Sequence, residues 1–211
     1  GSHDSFRMKL YFARHGESEA NVLNVISNRG YRHGLTETGR RQSQALAGRL
    51  SAASISRIYT SPLLRAVQTA EILSQVLKAP IKIASALREY DCGVLEGKSD
   101  EESWALHRQV REDWLMRGLW ERRIEGGESF CEMRDRFVPF VRRVVAENSG
   151  DAGDLVLVGH GGLYGCLLPL VLENVSFEFT WRQGFPPASF VLAEAGASGM
   201  VCLEWCGKPV Q

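Results

Sequence analysis

The chain has 211 residues, 44% of them hydrophobic and 24% charged, which is the composition of a globular protein with a sizeable core and excludes a disordered chain. Lysine plus arginine and aspartate plus glutamate each number 25, so the net charge provides no bulk attraction to nucleic acid or to an anionic membrane. The longest apolar runs fall short of the roughly 20 residues that span a bilayer.

We expect a single domain over residues 8–211, because this length suits one core. Residues 1–7 are interpreted as a tag remnant, "GSH", followed by an N-terminal extension. The five cysteines form no C-x-x-C pair and no cluster with histidine, which favours reduced thiols and a cytoplasmic protein. One unaligned sequence carries no reliable mark of a symmetric interface, so homo-oligomer formation stays open.

Short apolar runs alternate with segments of helical length along the first 160 residues. The runs at residues 10–13, 55–59, 81–84 and 155–158 are too short for helices and rich in strand formers, so they predict strands. The segments at residues 35–50 and 61–77 predict helices between them. This order indicates an α/β fold, a three-layer α/β/α sandwich with a mostly parallel central sheet.

Two helix starts carry capping signals. Ser61 is predicted to cap the second helix, with Pro62 at its first position, where the missing N–H costs nothing. Ser129 and Glu132 have the spacing of a capping box at the start of a later helix.

Residues 98–125 interrupt the α/β alternation with Trp104, Trp114 and Trp120 among charged residues, which predicts a small helical insertion over the active site, where it would act as a lid. Core packing and a protein-interaction surface are the alternative roles for these tryptophans. Toward the C-terminus, two strand-like runs within residues 189–206 flank turn residues and predict a hairpin that closes the sheet.

Charged and titratable residues follow two of the predicted strands. Arg14 and His15 follow the strand predicted at residues 10–13, and His160 follows the strand predicted at residues 155–158. Because the carboxyl ends of parallel strands meet at one crevice, these side chains and Arg65 are expected to lie together. Guanidinium groups match phosphate oxygens and disfavour an imidazolium nearby, so a neutral, nucleophilic His15 is the chemical interpretation. A surface salt bridge for Arg14 and a structural hydrogen bond for His15 are the alternatives.

Six motifs occur in a fixed order between residue 9 and about residue 165: "ARHGESEAN", "GLTETGRRQSQALAGRL", "YTSPLLRAVQTAEIL", "LREYDCGVLEG", "GGES" and "VGHGG". In this order and spacing the chain resembles the histidine phosphatase superfamily, the phosphoglycerate mutase-like group, in its Arg-His-Gly branch. The resemblance implies that His15 attacks phosphorus and becomes phosphohistidine. It also implies that Arg14, Arg65 and His160 bind the transferring oxygens.

The same resemblance assigns further residues to the site. Glu89 matches the general acid that protonates the leaving oxygen, with Asp91 and Glu96 as weaker candidates. Asn21 and the backbone N–H of Gly161 would complete the phosphate site. A helix-cap or turn role is the alternative for Asn21, and a tight turn for Gly161.

The resemblance implies a metal-independent phosphomonoester hydrolase that acts on a small phosphorylated metabolite and needs no cofactor. A mutase, which returns the phosphoryl group to another hydroxyl, is the first alternative. The 71 positions from Glu89 to His160 favour hydrolysis, since mutases of this group usually have a longer segment there. A phospholigand-binding protein without turnover is the second alternative.

The stretch "YRHGLT" departs from the pattern common in the family. Arg29, Arg32 and His33 either contact a second anionic group of the substrate or form a solvated loop. For this reason the sequence does not identify the substrate.

Overall fold

The computed structural model describes residues 6–150 and 153–211, so residues 1–5 of the predicted tag and extension lie outside it. The strands are Arg7–Arg14 (β1), Ile55–Thr60 (β2), Ile81–Ile83 (β3), Asp154–Gly159 (β4), Phe190–Gly196 (β5), Gly199–Trp205 (β6) and Lys208–Pro209 (β7). The helices are Glu19–Leu23 (α1), Glu37–Leu50 (α2), Leu64–Leu77 (α3), Glu101–Arg117 (α4), Phe130–Asn148 (α5), Gly161–Val171 (α6) and Phe177–Arg182 (α7).

One mixed sheet organises the described residues, with the strand order β3-β2-β4-β1-β5-β6-β7. The first four strands of that order are parallel, whereas β5 pairs with β1 in the antiparallel direction and continues through β6 to β7. The predicted mostly parallel α/β architecture and the predicted C-terminal hairpin are confirmed.

The central strands are apolar over residues 10–13 of β1 and 155–158 of β4, because helices cover both faces of the sheet there. In β1, Leu10 and Phe12 face the larger core that α4, α5 and α6 cover, while Tyr11 and Ala13 face the core beneath α2 and α3. Neighbouring β4 alternates in the same way. These two buried layers hold the carboxyl ends of β1 and β4 rigidly side by side.

The structure confirms the capping box at Ser129 and corrects the helix start at Ser61. Ser129 and Glu132 exchange hydrogen bonds with each other's backbone N–H groups at the start of α5. By contrast, α3 begins at Leu64, and its N-cap Leu63 makes no side-chain cap. Because Ser61 lies before that cap, its hydroxyl remains available to a neighbour across the sheet edge.

The predicted insertion contains α4, and its three tryptophans have different surroundings. Trp114 is buried in the larger core, and Trp120 stacks on Phe130 at 4.7 Å between ring centroids. Trp104 is the one of the three that borders the cavity described below. Two of the three therefore anchor the insertion to the core. No helix within the described residues is long and apolar enough to cross a membrane.

A close backbone crossing connects the loop after β1 with the first turn of α2. A Cβ atom at Gly39 would overlap the carbonyl oxygen of Glu17 and lie 2.9 Å from its carbon. Gly16 meets the same crossing from the other side, where an added Cβ would lie 2.9 Å from Oγ of Ser43. The two glycines thus set how closely this loop packs against α2.

We expect Gly39→Ala to lower the free energy of unfolding by about 2 kcal/mol, because the backbone of Glu17 must move to admit the methyl group. Gly48→Ala is the matched control in the same helix, since Gly48 is exposed and has nothing within 4 Å of its added Cβ. It should raise the free energy of unfolding by up to about 1 kcal/mol. Urea unfolding of both variants measures the difference, and equal effects would contradict the crossing as a constraint.

Candidate active site

The two strand-end histidines are brought together because β1 and β4 are parallel neighbours. Arg14, the last residue of β1, is in register with Gly159, the last residue of β4. The rings of His15 and His160 follow these strand ends and pack edge to face, with centroids 5.1 Å apart. They border a cavity of about 320 Å³ that Arg14 and Arg65 also line.

Hydrogen bonding fixes the tautomer of His15. Its Nδ1 lies 2.7 Å from the carbonyl oxygen of Gly16, which only accepts, so Nδ1 carries the proton and Nε2 keeps a lone pair. Burial, followed by repulsion from Arg65 and Arg14, holds the pKa of His15 well below 6.5 despite this hydrogen bond. The ring is therefore neutral and suited to nucleophilic attack through Nε2.

Two guanidinium groups line the cavity beside His15. Arg65, in the first turn of α3, donates from Nε to Nε2 of His15 at 3.2 Å. Burial lowers the pKa of Arg65 to about 10, so it stays a cation at neutral pH. Arg14 donates from Nη1 to the carbonyl oxygen of Phe185 at 2.5 Å, and its buried Nε has no partner among the described residues.

His160 is positioned by Ser61, which explains the hydroxyl misassigned above as a helix cap. Nε2 of His160 lies 2.8 Å from Oγ of Ser61. Since this oxygen already accepts the backbone N–H of Leu63 at 3.3 Å, its own proton is available to Nε2. Nδ1 of His160 then carries the ring proton and has no partner in residues 6–150 and 153–211, which leaves it as a donor for a ligand oxygen.

Glu89 also lines the cavity, and backbone donors hold its carboxyl group. Its carboxyl oxygens accept the N–H of Tyr90 at 3.1 Å and the N–H of Gly162 at 3.0 Å. Burial raises the pKa of Glu89 above its usual 4.5, and these N–H groups with Arg111 and Arg65 oppose the shift. A Cβ atom at Gly162 would lie 2.6 Å from the carboxyl, so the glycine admits this close approach.

Asn21 and Gly161 also line the cavity. The side-chain oxygen of Asn21 accepts the backbone N–H of Ser18 at 2.9 Å in a capping box of α1, so the predicted cap role is present. The amide nitrogen is the group of Asn21 that remains for a ligand. Gly161 is the first residue of α6, where free N–H groups and the helix dipole favour an anion.

The loop residues of the departing "YRHGLT" region do not line this cavity. Arg29 forms an ion pair with Asp91 at 2.7 Å, and Nδ1 of His33 lies 2.7 Å from Oγ of Ser27. Arg32 is exposed. Arg29 and Asp91 thus satisfy each other outside the cavity.

A cation that sequence reasoning missed lies on the insertion helix. Arg111 of α4 lines the cavity together with Trp104 and His107. All three also line a second cavity of about 690 Å³ on the outer side. A Cβ atom at Gly165 would collide with the guanidinium, so α6 leaves space for it. The only sequence signal was the alternation of bases, acids and tryptophans in the insertion.

Within the described residues, no group of three or more histidine, cysteine or acidic side chains is arranged to bind a metal ion. A model of the histidine phosphatase superfamily (branch 1) matches residues 10–207. The chain belongs to this superfamily. The family resemblance of its motifs is thereby confirmed.

Known proteins of this superfamily match nearly the whole fold. The probable phosphoglycerate mutase GpmB of Proteus mirabilis is 36% identical over 173 residues, 78% of this chain and 75% of the relative. The mycobacterial glucosyl-3-phosphoglycerate phosphatase in complex with VO3 is 26% identical, with a TM-score of 0.80 over 96% of this chain and 99% of that one. YhfR of Bacillus stearothermophilus is 26% identical, with a TM-score of 0.79 over 95% and 97%.

Three buried histidines make the stability of this histidine phosphatase depend on pH. Burial lowers the pKa of His107 to about 4, and those of His15 and His160 lie well below 6.5 for the same first reason. The unfolded chain protonates each ring at about 6.5, so it binds more protons than the folded chain below that pH. Their stabilising contribution is complete above about 6.5 and is lost as the pH falls toward 4.

Between pH 7 and pH 5, we expect the free energy of unfolding to fall by about 2 kcal/mol less in His107→Gln than in the wild type. The reason is that one ring no longer takes up a proton on unfolding. Glutamine retains a polar partner for the Tyr90 hydroxyl, which lies 3.1 Å from Nε2 of His107. Urea unfolding at both pH values measures the effect, and a comparison at pH 7 and 8, where the rings are neutral, is the control. The wild-type slope in the variant would contradict the prediction.

Proposed function

We propose that this histidine phosphatase is a metal-independent phosphomonoester hydrolase that acts on a small phosphorylated metabolite. The observation that carries the proposal is the neutral ring of His15, with its proton fixed on Nδ1, its Nε2 in contact with Arg65, and Arg14 in the lining of the same cavity. A phosphate group bound by those cations would be held next to the nucleophile.

In the first half-reaction, the phosphoryl oxygens are bound by Arg14, Arg65 and Nδ1 of His160, with Asn21 and the N–H of Gly161 as further donors. The hydrogen bond that Arg65 makes to Nε2 transfers to a phosphoryl oxygen, which frees the lone pair. Nε2 then forms a bond to phosphorus as the ester oxygen leaves. Two guanidiniums and a helix N-terminus supply the positive field for this step.

Glu89 would supply the proton for the leaving oxygen. Its raised pKa keeps the carboxyl protonated at a pH where an exposed glutamate has lost its proton. In the second half-reaction, the carboxylate takes a proton from water while the water oxygen bonds to phosphorus. The phosphorus–nitrogen bond breaks, His15 is regenerated, and inorganic phosphate leaves.

Mutase activity is the second candidate, because the relative from Proteus mirabilis is named a probable phosphoglycerate mutase. In a mutase the phosphohistidine returns its phosphoryl group to a hydroxyl of the bound ester instead of to water. The 71 positions between Glu89 and His160 support the hydrolase. A binding protein without turnover is disfavoured, because all five side chains of the proposed catalytic set are present and line one cavity.

We further infer that Arg111 binds an acidic group of the leaving alcohol. No salt bridge reaches this guanidinium in residues 6–150 and 153–211, and its buried Nε has no hydrogen-bond partner there. A buried guanidinium nitrogen without a hydrogen-bond partner is costly, and a ligand carboxylate would offset that cost. Two relatives are named for esters of glycerate, which carries a carboxylate.

All five cysteines are free thiols in the structure. Reduced thiols support a cytoplasmic location, where glutathione and thioredoxin keep cysteines unpaired. The balanced charge supports a small metabolite as the partner, with neither nucleic acid nor a membrane.

We expect the purified protein to hydrolyse p-nitrophenyl phosphate in the presence of EDTA and to form an alkali-stable phosphoprotein. His15→Asn should abolish turnover and labelling, because the amide is no nucleophile for phosphorus. His33→Asn is the matched control, since His33 lies outside the cavity. Label that persists in His15→Asn, or a strict need for a metal ion, would reject the mechanism. Free phosphate from 3-phosphoglycerate identifies a hydrolase, and isomers at constant total ester identify a mutase.

We expect the wild-type protein to prefer 3-phosphoglycerate over glycerol 3-phosphate, which replaces the carboxylate by a hydroxymethyl group. Arg111→Met should reduce this ratio of kcat/KM by about 10- to 100-fold, the value of a charge-assisted hydrogen bond. Arg117→Met, at the exposed end of the same helix, should retain the ratio. Equal losses for both esters would show that Arg111 acts on Glu89 and not on the leaving group.

A further inference from the structure

The loop at residues 185–189 holds the backbone of the nucleophile from outside the sheet. The N–H of Ala188 donates to the carbonyl oxygen of His15 at 3.0 Å, and the carbonyl of Ser189 accepts the N–H of Arg14 at 2.9 Å. The carbonyl of Phe185 accepts Nη1 of Arg14 at 2.5 Å. Three backbone groups of one loop therefore set the positions of both Arg14 and His15.

This loop contains a strained residue at its central contact. Ala188 has a φ of 58°, in the left-handed region that residues with a Cβ atom rarely adopt. The conformation costs energy and persists only where neighbouring contacts impose it. Because the same residue donates to His15, relaxation of its backbone would release the main chain of the nucleophile.

One side chain of α2 holds Ala188 in place. Arg49, in the last turn of α2, donates from Nη2 to the carbonyl oxygen of Ala188 at 2.6 Å. The two residues are 139 positions apart in the chain. Among the described residues Arg49 has no carboxylate partner. Its guanidinium therefore donates to the carbonyl of Ala188 instead of to an acidic side chain. The earlier end of the loop is held separately, by Nε1 of Trp205 on the carbonyl of Gly184 at 3.4 Å.

We propose that Arg49 is a positioning residue, which keeps Ala188 in its left-handed conformation and thereby aligns Arg14 and His15 for phosphoryl transfer. The inference rests on the proposed phosphohistidine chemistry and adds a residue that touches neither substrate nor reacting atoms. Misplacement of a nucleophile weakens the transition state more than it weakens substrate binding. The effect of losing Arg49 should therefore fall on kcat and leave KM nearly unchanged.

Steady-state hydrolysis of p-nitrophenyl phosphate tests the proposal. Arg49→Gln should lower kcat roughly five- to tenfold, because a charge-assisted hydrogen bond to the loop is lost. Arg41→Gln is the matched control, since Arg41 lies on the same helix and pairs with the exposed Glu37. It should retain the wild-type kcat.

A glycine background separates positioning from general loss of structure. Ala188→Gly keeps the N–H that bonds to His15 and removes the strain, since glycine adopts positive φ freely. Adding Arg49→Gln to Ala188→Gly should then reduce kcat by no more than about twofold. Equal losses with and without Ala188→Gly, or a wild-type kcat in Arg49→Gln alone, would overturn the proposal. A wild-type protein without turnover would reject the proposed function, whereas an unchanged kcat in Arg49→Gln beside an active wild type rejects this inference alone.

Discussion

The hydrogen bond from Nδ1 of His15 to the carbonyl of Gly16 is the interaction on which the chemistry depends. It assigns the proton to the nitrogen that faces the main chain and leaves the other nitrogen nucleophilic. The bond requires a fixed backbone at both residues. Thr69 provides part of this rigidity by accepting the N–H of Gly16, and Ala188 provides another part by bonding to the carbonyl of His15. The sheet and the two helix layers thus position the imidazole of His15 through the main chain of His15 and Gly16.

The cavity carries an excess of positive charge, which favours an anionic ligand. Arg14, Arg65 and Arg111 line it, against a single carboxyl, that of Glu89. Burial and repulsion from Arg65 and Arg14 keep the pKa of His15 low, whereas burial raises the pKa of Glu89 against the opposing effect of the cations. Three guanidiniums beside one carboxyl leave an excess of positive charge in the cavity, which a bound phosphomonoester would offset.

The fold separates chemistry from selectivity. The strand ends, the start of α3 and the start of α6 carry the groups that the proposed mechanism directs at phosphorus, and these elements are anchored in the two cores. The wall facing the leaving group comes largely from α4, whose Trp114 fixes the helix while Trp104, His107 and Arg111 face the cavity. Changing that helix changes the wall without disturbing the nucleophile, which suits a superfamily with differently named substrates.

The sequence by itself determined the strands, the mostly parallel sheet and the convergence of Arg14, His15 and His160, because hydrophobic period and strand-end position are local properties. Arg65 was expected to join them, and the motif order added Glu89. Only the tertiary structure decided the partners of Ser61 and Arg49, which join segments far apart in the chain, and the place of Arg111 in the cavity lining. A hydroxyl or guanidinium has the same local pattern whether it caps a helix, meets solvent or reaches across a sheet edge. Which of these occurs depends on what the folded chain places within 3 Å, and that distance is set by packing between layers.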